Sequence, residues 1–299
     1  MWVNRGGIDI RNRGIVVKFM SNALLVEDIN TKERIRCVLR GRFRLSNLKP
    51  VVGDFVEYVR VHDTGVVESI LKRKNELPKP KIANVDQVVC VYTLKRPEVP
   101  LLVLDKLLVL VEEANLNALI VLNKIDLLGE EDEERKRYFL ETYSKLYPVV
   151  MTSAKTKEGI DKLVEHFKDK VSVFAGLSGV GKSSLLNVIC PGANLRTQEV
   201  SEKLERGRHT TTAAELLHLP FGGLVADTPG FSLIEIDHIR PDKLKYYFKE
   251  IREHGNCLFK DCNHVDEPGC RIKELVEEGV IARTRYENYL EMFREVSKG

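Results

Sequence analysis

The stretch from Gly176 to Ser184 reads GLSGVGKSS and fits the pattern G-x-x-x-x-G-K-[ST]. Its chemistry is phosphate binding. Gly176, Gly179 and Gly181 let the backbone amides of Leu177, Ser178 and Val180 curl around phosphate oxygens, and the helix beginning at Lys182 adds the positive end of its dipole. Lys182 is expected to reach the β- and γ-phosphates, and the Ser183 hydroxyl to ligate Mg²⁺ with Ser184 beside it.

A second element sits upstream. Asn123-Lys124-Ile125-Asp126 follows the apolar run ALIVL, at a strand end where ligands bind in open α/β sheets. It resembles the guanine-reading N-K-x-D element of GTPases. The Asp126 carboxylate can accept from both guanine N1–H and the 2-amino group, donors that adenine lacks, so an ATPase or kinase reading conflicts with it. Ser153-Ala154-Lys155 resembles the companion loop whose backbone N–H contacts guanine O6. Asp227-Thr228-Pro229-Gly230 matches D-x-x-G: Asp227 would hold Mg²⁺ through water, and the Gly230 N–H would touch the γ-phosphate. Among Thr210, Thr211 and Thr212, Thr211 is the expected γ-phosphate and Mg²⁺ sensor, although spacing alone does not separate the three. Phe231 stands where many GTPases carry a water-orienting glutamine. His209 is the nearest candidate for that task, with a solvent-facing loop histidine as the bland alternative.

Cys257-x4-Cys262-x-His264-x5-Cys270 places four soft or borderline ligands within fourteen residues. A Cys₃His set suits one tetrahedral Zn²⁺ and leaves no open position for a catalytic water, which makes the expected site structural. Cys37, Cys90 and Cys190 are singletons among apolar neighbours and read as small buried hydrophobes.

These motifs need a scaffold. Residues 1–75 contain five β-branched-rich runs parted by turn signals, which fits a compact barrel of the five-stranded OB type; an SH3-like barrel has the same spacing. The stretch LKRKNELPKPKIAN reads as a linker, assigned to residues 76–84. Residues 85–235 alternate continuous apolar strands (VDQVVCVYTL, ALIVLN, VSVFA) with helical patterns, the signature of a mainly parallel, doubly wound sheet. Residues 236–299 read as helices around the Cys/His cluster, the first opening at Pro241. Phe231 and Cys257 are only 26 positions apart, so the D-x-x-G segment is expected to form the stem of this last unit and to reorient it as a body.

The motif order is unusual. Most GTPases run phosphate loop, threonine loop, D-x-x-G, N-K-x-D, then S-A-K; here NKID and SAK come first, a circular permutation. Permuted order, a basic N-terminal barrel and a Cys-Cys-His-Cys module together resemble the bacterial ribosome small subunit-dependent GTPases, the RsgA/YjeQ family, over nearly the whole chain. The resemblance implies an α/β, circularly permuted P-loop GTPase core flanked by an OB-like domain and a small, mainly helical zinc-binding domain. It also implies GTP hydrolysis stimulated by the small (30S) subunit, contact with 16S rRNA, and a role in late maturation of that subunit. A competing reading is an RNA-binding checkpoint factor that uses GTP only as a conformational ligand.

Composition agrees with a folded, nucleic-acid-facing protein. The chain has 299 residues, 43% hydrophobic and 30% charged, with a net charge of +3. That charge is uneven: residues 1–82 hold 17 Lys and Arg against 9 Asp and Glu, a balance of +8, and the rest carries −5. A basic unit on an acidic body points to a polyanionic partner. The longest apolar stretch, Val99–Val111, is broken by Asp105 and Lys106, and nothing approaches the ~20 apolar residues of a membrane span. The N-terminus lacks the apolar region of a secretory signal. A cytoplasmic monomer is expected.

Overall fold

The computed structural model describes residues 11–20, 22–41, 43, 49–78, 81–191, 215–227 and 235–298. The N-terminal strands are β1 (Asn12–Phe19), β2 (Leu24–Asp28), β3 (Arg34–Leu39), β4 (Phe55–Val61) and β5 (Thr64–Ile70). They pair in the order β1-β2-β3-β5-β4, β3 and β5 run parallel, and β4 returns to β1 to close the barrel. This closure is the OB-type arrangement, which spacing had left open. Alternation drives it: in β3, Ile35 and Cys37 point inward among Val16, Leu24, Val26, Val56, Tyr58 and Val67, while Arg34 and Arg36 face out.

Residues 71–84 are more than a tether. They form two short paired strands, β6 (Glu76–Pro78) and β7 (Lys81–Ala83), with Leu77 and Ile82 buried. Arg73 grips the fully buried Asp54 through two hydrogen bonds of 2.7 and 2.8 Å, and Asn84 Nδ2 donates to Gly53 O at 2.8 Å. Two prolines and five basic residues suggested a linker; two buried aliphatic side chains and a satisfied buried carboxylate make it a splint.

The central sheet comprises β8 (Gln87–Tyr92), β9 (Asn117–Leu122), β10 (Val149–Met151), β11 (Val171–Ala175), β12 (Glu215–His218) and β13 (Leu224–Asp227). Its order is β10-β9-β8-β11-β13-β12, parallel except for β12. Both β8 and β11 are buried along their whole length, as strands covered on two faces must be. The flanking helices are α1 (Leu101–Glu113), α2 (Glu133–Tyr143), α3 (Ile160–Glu165) and α4 (Lys182–Ile189). Edge strand β12 pairs with β1 of the barrel, Lys18 opposite Glu215, so one sheet runs through both units.

After Ile236 the described chain is helical: α5 (Pro241–Leu244), α6 (Lys249–His254), α7 (Arg271–Glu277) and α8 (Arg283–Val296). Pro241 occupies the first helical position, where its missing N–H costs nothing. Phe248, Ile251, Ile272, Tyr289 and Met292 form its core, and Val109 of α1 is buried within the same cluster. The unit is therefore seated on α1 as well as attached through its stem. Among the described residues no helix is long and apolar enough to cross a membrane.

Candidate functional site: a nucleotide pocket and a metal knuckle

Three strand ends build the pocket. β11 leads into Gly176, β9 into Asn123, and β10 into Thr152 and Ser153, all at the carboxyl edge of the parallel sheet. The phosphate loop needs its glycines. Gly176 and Gly181 have φ of 137° and 99°, and a Cβ at Gly181 would sit 2.3 Å from Asn123 Nδ2, so only glycine permits this approach.

Asn123, 1% exposed, is the junction. Its Nδ2 donates to Val180 O at 2.9 Å, and its Oδ1 accepts from Thr152 Oγ1 at 3.1 Å and from the Ala154 amide at 3.3 Å. One side chain thus pins the phosphate loop to the Ser153-Ala154-Lys155 loop. Lys124, in the left-handed region at φ 62°, sends its Nζ to Gly179 O at 2.7 Å and also to Arg96 O. Asp126 and Ile125 lie in a short 3₁₀ turn, and the Ser153 hydroxyl donates to Asp126 Oδ1 at 2.6 Å. Lys155 is exposed beside them.

Lys182, Ser183 and Ser184 form the first turn of α4. The Lys182 ammonium donates to Gly176 O and Leu177 O at 2.7 and 2.8 Å, and burial holds its pKa below the ordinary lysine value. A polyphosphate in the loop would reverse that direction by supplying negative charge. Asp227 ends β13, the strand beside β11, so its backbone is at the same sheet edge. His209, Thr210, Thr211, Thr212, Gly230 and Phe231 lie outside the described residues.

Two contributors had no motif to reveal them. Thr152 is fully buried and orients Asn123, and Arg96 supplies its carbonyl to Lys124. Arg96 follows β8, the strand between β9 and β11, and the rule that ligands gather at strand ends would have singled out that loop.

Cys257, Cys262, His264 and Cys270 converge, with all four ligand atoms within 4.8 Å of one another. His264 Nδ1 lies 3.4, 3.5 and 3.4 Å from the three sulfurs, and Cys257 Sγ is 3.9 Å from Cys270 Sγ. Burial pushes the Cys262 and Cys270 thiols up and the imidazole down to about 4. A bound cation would reverse the thiol direction by favouring thiolates, so the donor set fits a metal ion. The knuckle backbone is braced by α8: Tyr286 OH donates to His264 O and Tyr289 OH to Asn263 O, at 2.7 and 2.5 Å.

Known proteins resemble this chain in sequence and fold. The RsgA GTPase family description matches residues 70–237, and the RsgA N-terminal domain matches residues 13–67. A curated relative from Thermotoga maritima, named small ribosomal subunit biogenesis GTPase RsgA, is 57% identical over 97% of this chain and 98% of its own. The Bacillus subtilis protein of the same name is 43% identical over 95% and 97%. The crystal structure of YjeQ from Thermotoga maritima superposes with a TM-score of 0.88 at 54% identity, covering 96% of this chain and 99% of that one. YloQ, described as a circularly permuted GTPase, gives 0.85 at 37% identity over 99% and 98%. With guanine-type and phosphate-type loops joined through Asn123 in permuted order, and with this likeness along its whole length, the chain belongs to the RsgA GTPase family and is a GTP hydrolase.

Proposed function

We propose that this chain hydrolyses GTP while bound to the small (30S) ribosomal subunit, contacts 16S rRNA, and acts late in that subunit's maturation. The observation that carries this reading is the Asn123 junction, which couples base-reading and phosphate-holding loops, in a chain whose full-length relatives are named for small-subunit biogenesis. The basic balance of the first 82 residues supports an RNA-facing barrel. The working units are the barrel (1–75), the splint (76–84), the GTPase core (85–235) and the metal-binding module (236–299). The protein acts as a cytoplasmic monomer.

In the pocket, Asn123, Lys124, Ile125, Asp126 and the Ser153–Lys155 loop receive guanine, and Gly176–Ser184 receives the phosphates. Lys182 neutralises developing charge, and Ser183, Thr211 and Asp227 serve Mg²⁺, which when bound would spread the γ-phosphate charge. Gly230 senses the γ-phosphate, and His209 takes the water-orienting task that Phe231 cannot perform.

The module holds one structural Zn²⁺. Tetrahedral bonds of about 2.3 Å to sulfur and about 2.1 Å to nitrogen require S···S near 3.8 Å and N···S near 3.6 Å. The observed 3.9 and 3.4–3.5 Å match that ligand cage.

Multiple-turnover hydrolysis with and without purified small subunits tests the reading. Strong acceleration by the subunit is expected. Tight subunit binding with no acceleration would instead favour the checkpoint role in which GTP is only a ligand.

A further inference from the structure

Asp105 interrupts the most apolar stretch of the chain, and in the fold its side chain is fully buried on α1. Its partner comes from the far end of the sequence. Arg285 of α8, 1% exposed, donates through Nη1 to Asp105 Oδ1 at 2.6 Å and through Nε and Nη2 to both oxygens of Glu250 at 2.7 and 3.0 Å. Tyr143 OH and Asn288 Nδ2 complete the shell of Asp105 at 2.7 and 2.6 Å. Burying such a group is costly, and well-packed apolar residues often serve stability as well or better. What it supplies is one fixed register of α8 on α1.

Both ends of this clamp reach a site. On one side, the turns of α8 after Arg285 carry Tyr286 and Tyr289, which hold the backbone of the metal knuckle. On the other, α1 is fed by the loop after β8, whose Arg96 carbonyl accepts Lys124 Nζ, the same ammonium that donates to Gly179 O. That loop is itself fastened, since Tyr92 OH donates to Val99 O at 2.7 Å and Lys95 Nζ to Glu131 at 2.7 Å. Tyr92 stacks on Phe139, which packs on Tyr143, whose hydroxyl returns to Asp105.

We propose that Asp105 and Arg285 are positioning residues for the nucleotide pocket. They make α1, the Arg96 loop and the metal-binding module one rigid body, so guanine-nucleotide occupancy is felt at the knuckle through Lys124, and loosening α8 degrades the pocket. This rests on the nucleotide-site reading above, and it provides a route separate from the stem that follows the D-x-x-G segment. Linkage requires the two effects to be reciprocal.

Hydrogen exchange of the full chain with and without Mg²⁺-GDP tests it. GDP should slow exchange at residues 123–126 and 176–184, which reports the pocket, and also in α1 and at residues 263–264 and 285–289. Asp105→Asn keeps the size and one oxygen of the clamp. It should retain slowing in the pocket, lose about half or more of it at residues 285–289, and weaken GDP binding roughly fivefold or more. Val276→Ala, which loosens the same module from α7 rather than from the clamp helix, should leave GDP affinity unchanged. Protection confined to the pocket in the unaltered chain, or equal loss of GDP affinity in both variants, would overturn the proposal. Absence of protection in the pocket itself would remove the nucleotide-site reading, and this proposal with it.

Discussion

The Ser153 hydroxyl donates to Asp126 Oδ1 at 2.6 Å while its own oxygen accepts the Thr156 amide at 3.1 Å. The two side chains come from loops after different strands, β10 and β9, and the contact fixes which way the Asp126 carboxylate points. Ser153→Ala removes one hydrogen bond to a charged group, worth about 1.5–3 kcal/mol, or roughly 10- to 100-fold in affinity. The expected result is a raised KM for GTP with kcat unchanged, because this is uniform binding. Steady-state kinetics that leave KM where it was would show that Asp126 is oriented without Ser153.

Asp126→Asn replaces the acceptor pair with one acceptor and one donor facing guanine N1–H or its 2-amino group. Loss of two charge-assisted bonds predicts a fall of roughly 10²- to 10⁴-fold in GTP affinity. Xanthosine triphosphate, which carries an oxygen at the 2-position, should become the preferred ligand. Calorimetric titration of both nucleotides checks this, and an undiminished GTP affinity would take NKID out of the pocket.

Lys182→Ala and Ser183→Ala each remove a side chain that the fold does not depend on. Lys182 spends its hydrogen bonds on the carbonyls of its own loop, and Ser183 lies in the first turn of α4. Both variants should lose turnover assayed with small subunits present, while their circular dichroism melts stay near that of the unaltered chain. Full turnover in either one would mean that the phosphates sit elsewhere.

Purified protein should contain one zinc per chain by elemental analysis. Cys257→Ala opens the cage at its half-exposed ligand, and metal binding of this kind is folding free energy for a small unit. The module should lose helical signal and release its zinc, while the core still binds GTP, more weakly than the unaltered chain does. Zinc-free protein from a fresh, chelator-free preparation would argue against the cage.

Much of this molecule was legible in the chain because its chemistry is local. A phosphate loop and a fourteen-residue Cys₃His run are short segments whose backbone amides and ligand atoms are set by residue type and spacing. The strands of the barrel and core could likewise be read from period-two and continuous apolar patterns, since burial on one face or two leaves a direct imprint on composition.

Tertiary structure decided the rest, because it depended on partners far apart in sequence. Closure of the barrel turned on β3 pairing parallel to β5 and β4 returning to β1, a choice that alternation does not encode. Two aliphatic side chains, Leu77 and Ile82, turned a proline-containing basic stretch into a splint once Val52 and Asp54 were beside it. Asp105 announced itself only as a charge in the wrong place. Its meaning came from Arg285, 180 residues later, because a carboxylate can be buried on an apolar helix face only where the fold brings it a cation and enough donors.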